Sequence, residues 1–437
     1  MYRRSHEIVR SRWISLSTVA ICLLLVAGLL TACTSTDSTN ITASGSSTPP
    51  IPGSAFDNHT GLTPTSVTIG NVSTLSAGLF TGSLVGTEAA AAYVNSQGGV
   101  NGRKIIVSSA NDQFQGALNK QDVQNVVQTD FASVGGFSLE DSFSEPLIAA
   151  NSGFPDITAS LDPATEKLPN NFSPVPASNG WATGPLLYFK QKYPTKISHT
   201  ATIIADLPST ELAWANEKKA MQHLGYTVLS DPALSPTTTD FTPQVVTMKN
   251  AGVQILFLEQ APQNYASAIF RDLSQQNFHP VVVLGAPAYN RQLIGNAGGP
   301  QVVNGAYLEQ ASSLYLGEDS AQIPAITIFN TWVQRVAPGF MPDFFTLIGW
   351  LCGELFVDAL RNAGMNPSRG SLLQALRKIT AFNSGNLIPV TNPAGKVPSI
   401  CYLLGQVTNG QFQRLDDPPV TSPTNGFRCD GTYYRAG

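Results

Sequence analysis

Histidine and cysteine are scarce, with five of each in 437 residues. The histidines beyond the first 32 residues, His59, His199, His223 and His279, are scattered, and none has the spacing of metal ligands. Common catalytic motifs are missing too: there is no G-x-S-x-G, no H-E-x-x-H and no Ser-x-x-Lys. The glycine-rich GNAGGP at 295–300 lacks the lysine of a phosphate loop. These absences argue against an enzyme and against a metal or cofactor. Charged residues make up only 12% of the chain, with a formal net of −4. Without a basic cluster, no nucleic-acid partner is expected. Past residue 40 every apolar run is short and broken by Pro, Gly or charge, so no second membrane span is expected.

What is present begins at the N-terminus. Arg3, Arg4, Arg10 and Arg12 precede an apolar segment from Trp13 to Leu30, the layout of a secretory signal. The segment is also long enough for a retained anchor. Leu30-Thr31-Ala32-Cys33 resembles the bacterial lipobox, which implies cleavage after residue 32 and a diacylglyceryl group on Cys33. Residues 33–64 are rich in Ser, Thr and Pro and read as a flexible tether. The expected location is the outer face of the cell membrane, held there by lipid. Export permits a disulfide. Cys352 lies in an apolar helical pattern and reads as a buried thiol, which leaves Cys401 and Cys429 as the favoured pair among three possible pairings.

From residue 65 the chain alternates strand and helix patterns. Strands are expected at 66–72, 104–108, 133–135 and 155–158, and helices at 82–97, 117–130 and 144–151. After Pro174, Pro176 and Gly180 the rhythm restarts, with strands at 198–204, 227–229, 254–258 and 279–284. Helices are expected between them at 212–224, 242–251 and 265–275. A mainly helical stretch follows from 323 to 378, then late strands at 399–407. Alternation of this kind predicts an α/β chain with parallel sheets wrapped by helices, in two lobes.

The run SVTIGNVSTLSAG, the segment EAAAAYVNSQGGVNGRKI and the pair Asn111-Asp112 together resemble the opening of the leucine/isoleucine/valine-binding family, type I periplasmic solute-binding proteins of ABC importers. The resemblance implies two Rossmann-like lobes joined by three crossings. One would comprise 65–179 and 311–390, the other 180–310 and 391–437. It further implies a small-molecule solute held between the lobes of a monomer and delivered to an ABC permease. A module that senses a solute for a separate membrane protein is the alternative.

Open α/β sheets bind ligands beyond the carboxyl ends of their strands, where free N–H groups face the cleft. That rule selects Ser73, Thr74 and Ser76 after the first strand, Ser138, Asp141 and Ser142 after the third, and Thr158, Ala159 and Ser160 after the fourth. In the second lobe it selects Asp206 and Thr210, Glu259 and Gln260, and Pro287 and Tyr289. Phe80, Phe137 and Tyr289 are aromatic candidates for a cleft wall, with Trp214 assigned to the core. Some positions depart from the amino-acid-binding members the family resemblance implies. Acidic Glu140, Asp141 and Asp162 stand near positions where hydroxyls are usual, and Ala286-Pro287-Ala288 carries no charge where an acid often pairs the ammonium. Glu259 is a substitute for that acid, and the ligand is left open among an amino-acid-like solute, an amide, a polyol-like or aromatic compound, and a cation.

Overall fold

The computed structural model describes residues 48–177 and 180–435. The signal segment, Cys33 and the first part of the expected tether lie outside the described residues.

Four parallel strands form the first sheet: β1 (Ser66–Ser73), β2 (Lys104–Asn111), β3 (Ala132–Val134) and β4 (Asp156–Ile157), in the order β2-β1-β3-β4. β-Branched Val67, Ile69 and Val72 are buried, as suits a parallel sheet covered on both faces. The alanine-rich helix Thr81–Ser96 lies against the helix Phe344–Asn362. Gly86 permits the approach, since a Cβ there would collide with the Thr346 carbonyl. The second helix starts from a reciprocal cap, in which the Asp343 carboxylate accepts from the Thr346 N–H at 2.8 Å and the Thr346 hydroxyl accepts from the Asp343 N–H at 3.1 Å.

The second sheet has seven strands. They are β5 (Thr200–Thr202), β6 (Val228–Ser230), β7 (Ile255–Leu258), β8 (Val281–Leu284), β9 (Tyr307–Gln310), β10 (Leu403–Thr408) and β11 (Gln411–Arg414). Their order is β11-β10-β9-β8-β7-β5-β6. The last two strands are antiparallel additions at one edge, and the rest run parallel. The chain therefore passes from the first sheet to the second, returns with the helices Pro324–Val336 and Phe344–Asn362, and passes back for β10. Those three passages make a mixed α/β architecture of two Rossmann-like halves. Cys401 and Cys429 form a disulfide just before β10 and after β11, and Cys352 is a buried free thiol.

Several sequence expectations need correction. Residues 48–64 are not a free tether. Gly53–Asp57 is a short 3-10 turn with Ala55 buried, His59 Nδ1 lies 2.9 Å from the Pro367 carbonyl, and Arg369 N–H donates to Asn58 at 2.9 Å. Ile51, Ala55 and Leu62 find cover on the body while Phe56 stays exposed, and composition alone hid those contacts. The strand expected at 198–204 is broken into Thr200–Thr202 and Ile204–Ala205, which join different sheets. The helix expected from 212 begins at Pro208, whose fixed φ and missing N–H suit a first turn.

Candidate functional site

The carboxyl ends of both sheets open on one cavity of about 450 Å³. From the first sheet come Phe137, beyond β3, and Ala159, Ser160 and Leu161, beyond β4. From the second come Glu259 and Gln260 after β7, Ala286 and Pro287 after β8, and Glu309, Gln310 and Ser312 at the end of β9. Trp181, Val175, Phe344, Leu347, Leu351 and Ile388 add apolar wall. Glu166, Glu259 and Glu309 line the cavity, and among the described residues no Lys, Arg or His does. The volume suits a small organic molecule.

On the first-sheet side the polar groups are tied to one another. Ser73 Oγ donates to Asn71 at 2.7 Å and accepts from the Phe137 N–H at 3.0 Å. Thr74 donates to Asp112 at 3.1 Å, and Ser138 donates to the same carboxylate. Thr158 donates to Asp156 at 3.1 Å. Asp141 reaches across to the loop after β4, where its Oδ2 accepts from Ser160 Oγ at 2.5 Å, Leu161 N–H at 2.7 Å and Asp162 N–H at 3.1 Å. Burial pushes the Asp141 carboxyl up to about 6, and these three bonds oppose the rise.

The second-sheet side is different. Leu258, Leu284 and Leu308 lie in register across β7, β8 and β9, so the following row is Glu259, Gly285 and Glu309. Gly285 sits between the two acids because a Cβ there would strike the Glu259 backbone. Glu217, on the helix Pro208–His223, joins them and is buried as well. Burial, reinforced by mutual repulsion, holds Glu217 and Glu259 well above the usual carboxylate range, and burial pushes Glu309 up to about 7. Among the described residues, one carboxyl oxygen of each, together with Gln310 Oε1 and Ser312 Oγ, has no hydrogen-bond partner.

Of the sequence candidates, Ala159, Ser160, Glu259, Gln260 and Pro287 are brought together at the cavity. Ser73, Thr74, Ser138 and Thr158 are buried in the network behind it. Ser76 bonds Asn111 at the first strand end, Ser142 and Asp206 are exposed, and Thr210 donates to the Leu207 carbonyl at 3.0 Å; none of these four lines the cavity. Tyr289 is also absent from the lining: it is fully buried, its hydroxyl donates to Glu318 at 2.6 Å, and its ring packs on Tyr315 and Phe412. Phe80 packs in the core against Phe137 and Phe345, and Trp214 is buried with its indole N–H on Asp231. The residues overlooked were Glu309, Gln310 and Ser312. Applying the strand-end rule to Tyr307–Gln310 finds them, but that short strand was not recognised.

A family model described as periplasmic binding protein matches residues 66–411. The chain belongs to the periplasmic binding protein family. Members of this family are exported substrate-binding proteins and not enzymes. A comparison with curated proteins returns no significant match. Among solved structures, a branched-chain amino acid ABC transporter protein of Thermus thermophilus with bound valine is 16% identical, with a TM-score of 0.70 over 83% of this chain and 98% of its own. A fatty acid ABC transporter substrate-binding protein of Thermomonospora curvata is 16% identical, with a TM-score of 0.67 over 86% of this chain and 94% of its own. A leucine-binding protein of Thermotoga maritima is also 16% identical, with a TM-score of 0.64 over 80% and 97%. At such identities the likeness is one of fold. Among the described residues of this family member, no helix is long and apolar enough to cross a membrane, and no group of three or more His, Cys, Asp or Glu is placed to hold a metal ion.

Proposed function

We propose that this periplasmic binding protein is a lipid-anchored receptor. It captures a small solute between two lobes and delivers it to an ABC permease. The observation that carries the reading is the cavity at which the strand ends of both sheets converge. Sheet membership, with the packing of the helices Pro324–Val336 and Phe344–Asn362 on Thr81–Ser96, supports lobes of 65–179 with 311–390 and of 180–310 with 391–437. The lipobox sequence supports acylation at Cys33.

Thermal unfolding of the purified protein against a broad solute panel tests the proposal. A true ligand at a hundredfold its Kd stabilises the protein by ~2.7 kcal/mol. Ala286→Trp, which fills the cavity from a loop, should abolish that shift while the free protein still unfolds cooperatively. A panel of amino acids, amides, amines and organic acids with no effect on the transition would refute solute capture.

A further inference from the structure

Resting on that reading of the cleft, we infer that its solute is an organic cation, an ammonium or guanidinium group on an apolar body, without a carboxylate. Two opposed walls point to this class.

Backbone N–H groups beyond a strand end form a natural seat for an anion. After β4 that seat is already taken from within the chain, because Asp141 receives the Leu161 and Asp162 N–H groups and the Ser160 hydroxyl. A ligand carboxylate placed there would meet a carboxylate. Among the described residues no basic side chain lines the cavity to receive it elsewhere. Lys167, Lys396 and Arg435 line an adjoining hollow that shares Ser160, Leu161 and Glu166; the Lys396 ammonium is held by the carbonyls of Glu166 and Asn171 at 2.7 and 2.5 Å, and Lys167 and Arg435 are exposed.

The opposite wall is rich in buried acceptor oxygens. Glu259, Gln310 and Ser312 are 5%, 2% and 3% exposed and line the cavity, and each has an oxygen without a partner. Glu309 and Glu217 add another such oxygen each. Among the described residues no ion pair reaches any of the three glutamates. The Gln310 amide N–H₂ is committed to the carbonyls of Ser312 and Ser313, so the group presents its oxygen. Buried oxygens gathered in this way call for a ligand rich in N–H donors, and buried carboxyls call for one that brings positive charge. Hydrophobic Phe344, Leu347 and Leu351 line the rest of the space and suit an alkyl or aryl body.

Matched compounds that share a body and differ in the head test this. Two such sets are 3-methylbutylamine, 3-methylbutylguanidine, leucine, 4-methylpentanoate and 4-methylpentanamide, and phenethylamine, phenylalanine, 3-phenylpropanoate and 3-phenylpropanamide. Calorimetric titration of the purified protein should show a cation binding at least about tenfold more tightly than the matched acid, zwitterion and amide. Glu259→Gln and Glu309→Gln should each weaken that cation at least about tenfold, because an uncharged amide cannot neutralise it. The thermal unfolding of both unliganded variants should be at least as high as wild type, which separates lost binding from lost fold. An acid, zwitterion or amide binding as tightly as the cation overturns the inference while leaving solute capture intact. Unchanged cation affinity in both glutamine variants overturns it as well. Failure of every compound in both sets overturns the inference, and failure of the broader panel removes solute capture with it.

Discussion

The two walls of the cleft are built from similar residues and treat them in opposite ways. Facing the first sheet, Asp112, Asp141 and Asp156 each receive side-chain or backbone donors, and the hydroxyls near them are spent on those bonds. Facing the second, Glu217, Glu259 and Glu309 crowd together with an unpartnered oxygen on each. A buried polar group that has its partners holds a loop in shape; one without them costs free energy that a ligand can recover. The hydroxyls on the first wall therefore resemble ligand contacts in sequence but serve mainly to fix the loops. On the proposal above, recognition falls to the second wall.

If that division holds, the largest effect on stability belongs to Asp141. Asp141→Ala strands the N–H groups of Leu161 and Asp162 and the Ser160 hydroxyl, and should cost about 3 kcal/mol in urea unfolding. Asp141→Asn keeps an acceptor oxygen and should recover most of the loss. An alanine variant as stable as wild type would mean that the loop after β4 holds its shape without the carboxylate, and the contrast between the walls would collapse.

The second wall should reveal itself through pH. A carboxyl whose folded pKa is raised keeps its proton in the folded state after the unfolded chain has released it, so stability falls as pH rises through that window. For Glu309 the window runs from its ordinary 4.5 up to about 7, and Glu217 and Glu259 are shifted in the same direction. Ligand-free protein should lose roughly 2 kcal/mol from this wall between pH 5 and pH 8. Glu309→Gln should reduce that slope, leaving the variant closer to wild type at pH 5 and more stable than it at pH 8. Parallel pH profiles for the two proteins would show that Glu309 ionises as freely when folded as when unfolded.

Much of the fold was legible because its signals are local. Val67-Thr68-Ile69 announces a strand, Asn101-Gly102 a tight return bridged between Val100 and Arg103, and the alanines of 89–92 a helix that can pack closely. The site was half legible for a related reason. The strand-end rule reached Ala159, Ser160, Glu259, Gln260 and Pro287, yet it cannot tell a hydroxyl facing the cleft from one turned to its neighbours, as Ser73 and Thr74 are. Glu217 carried no signal, since a glutamate beside Lys218 and Lys219 in a helix reads as solvent-facing. Tyr289 was misplaced because a residue only a few positions past a strand end had already turned back into the core, where Glu318 holds its hydroxyl. Each of these depends on contacts between residues far apart in the chain.

Ser160 gives the smallest and most discriminating test, because it lines the cavity and also belongs to the Asp141 network. Its hydroxyl donates one of three bonds to that carboxylate and accepts from the Asp162 N–H at 3.1 Å. If the first wall is mainly structural, Ser160→Ala should cost about 1 kcal/mol of stability, the usual net worth of one hydrogen bond after solvent exchange. Solute affinity should then change by less than about threefold, which corresponds to well under 1 kcal/mol. A larger loss of affinity with stability unchanged would reverse the assignment, making Ser160 a ligand contact whose bond to Asp141 is incidental. The same variant, measured by urea unfolding and by calorimetric titration, reports on both roles at once.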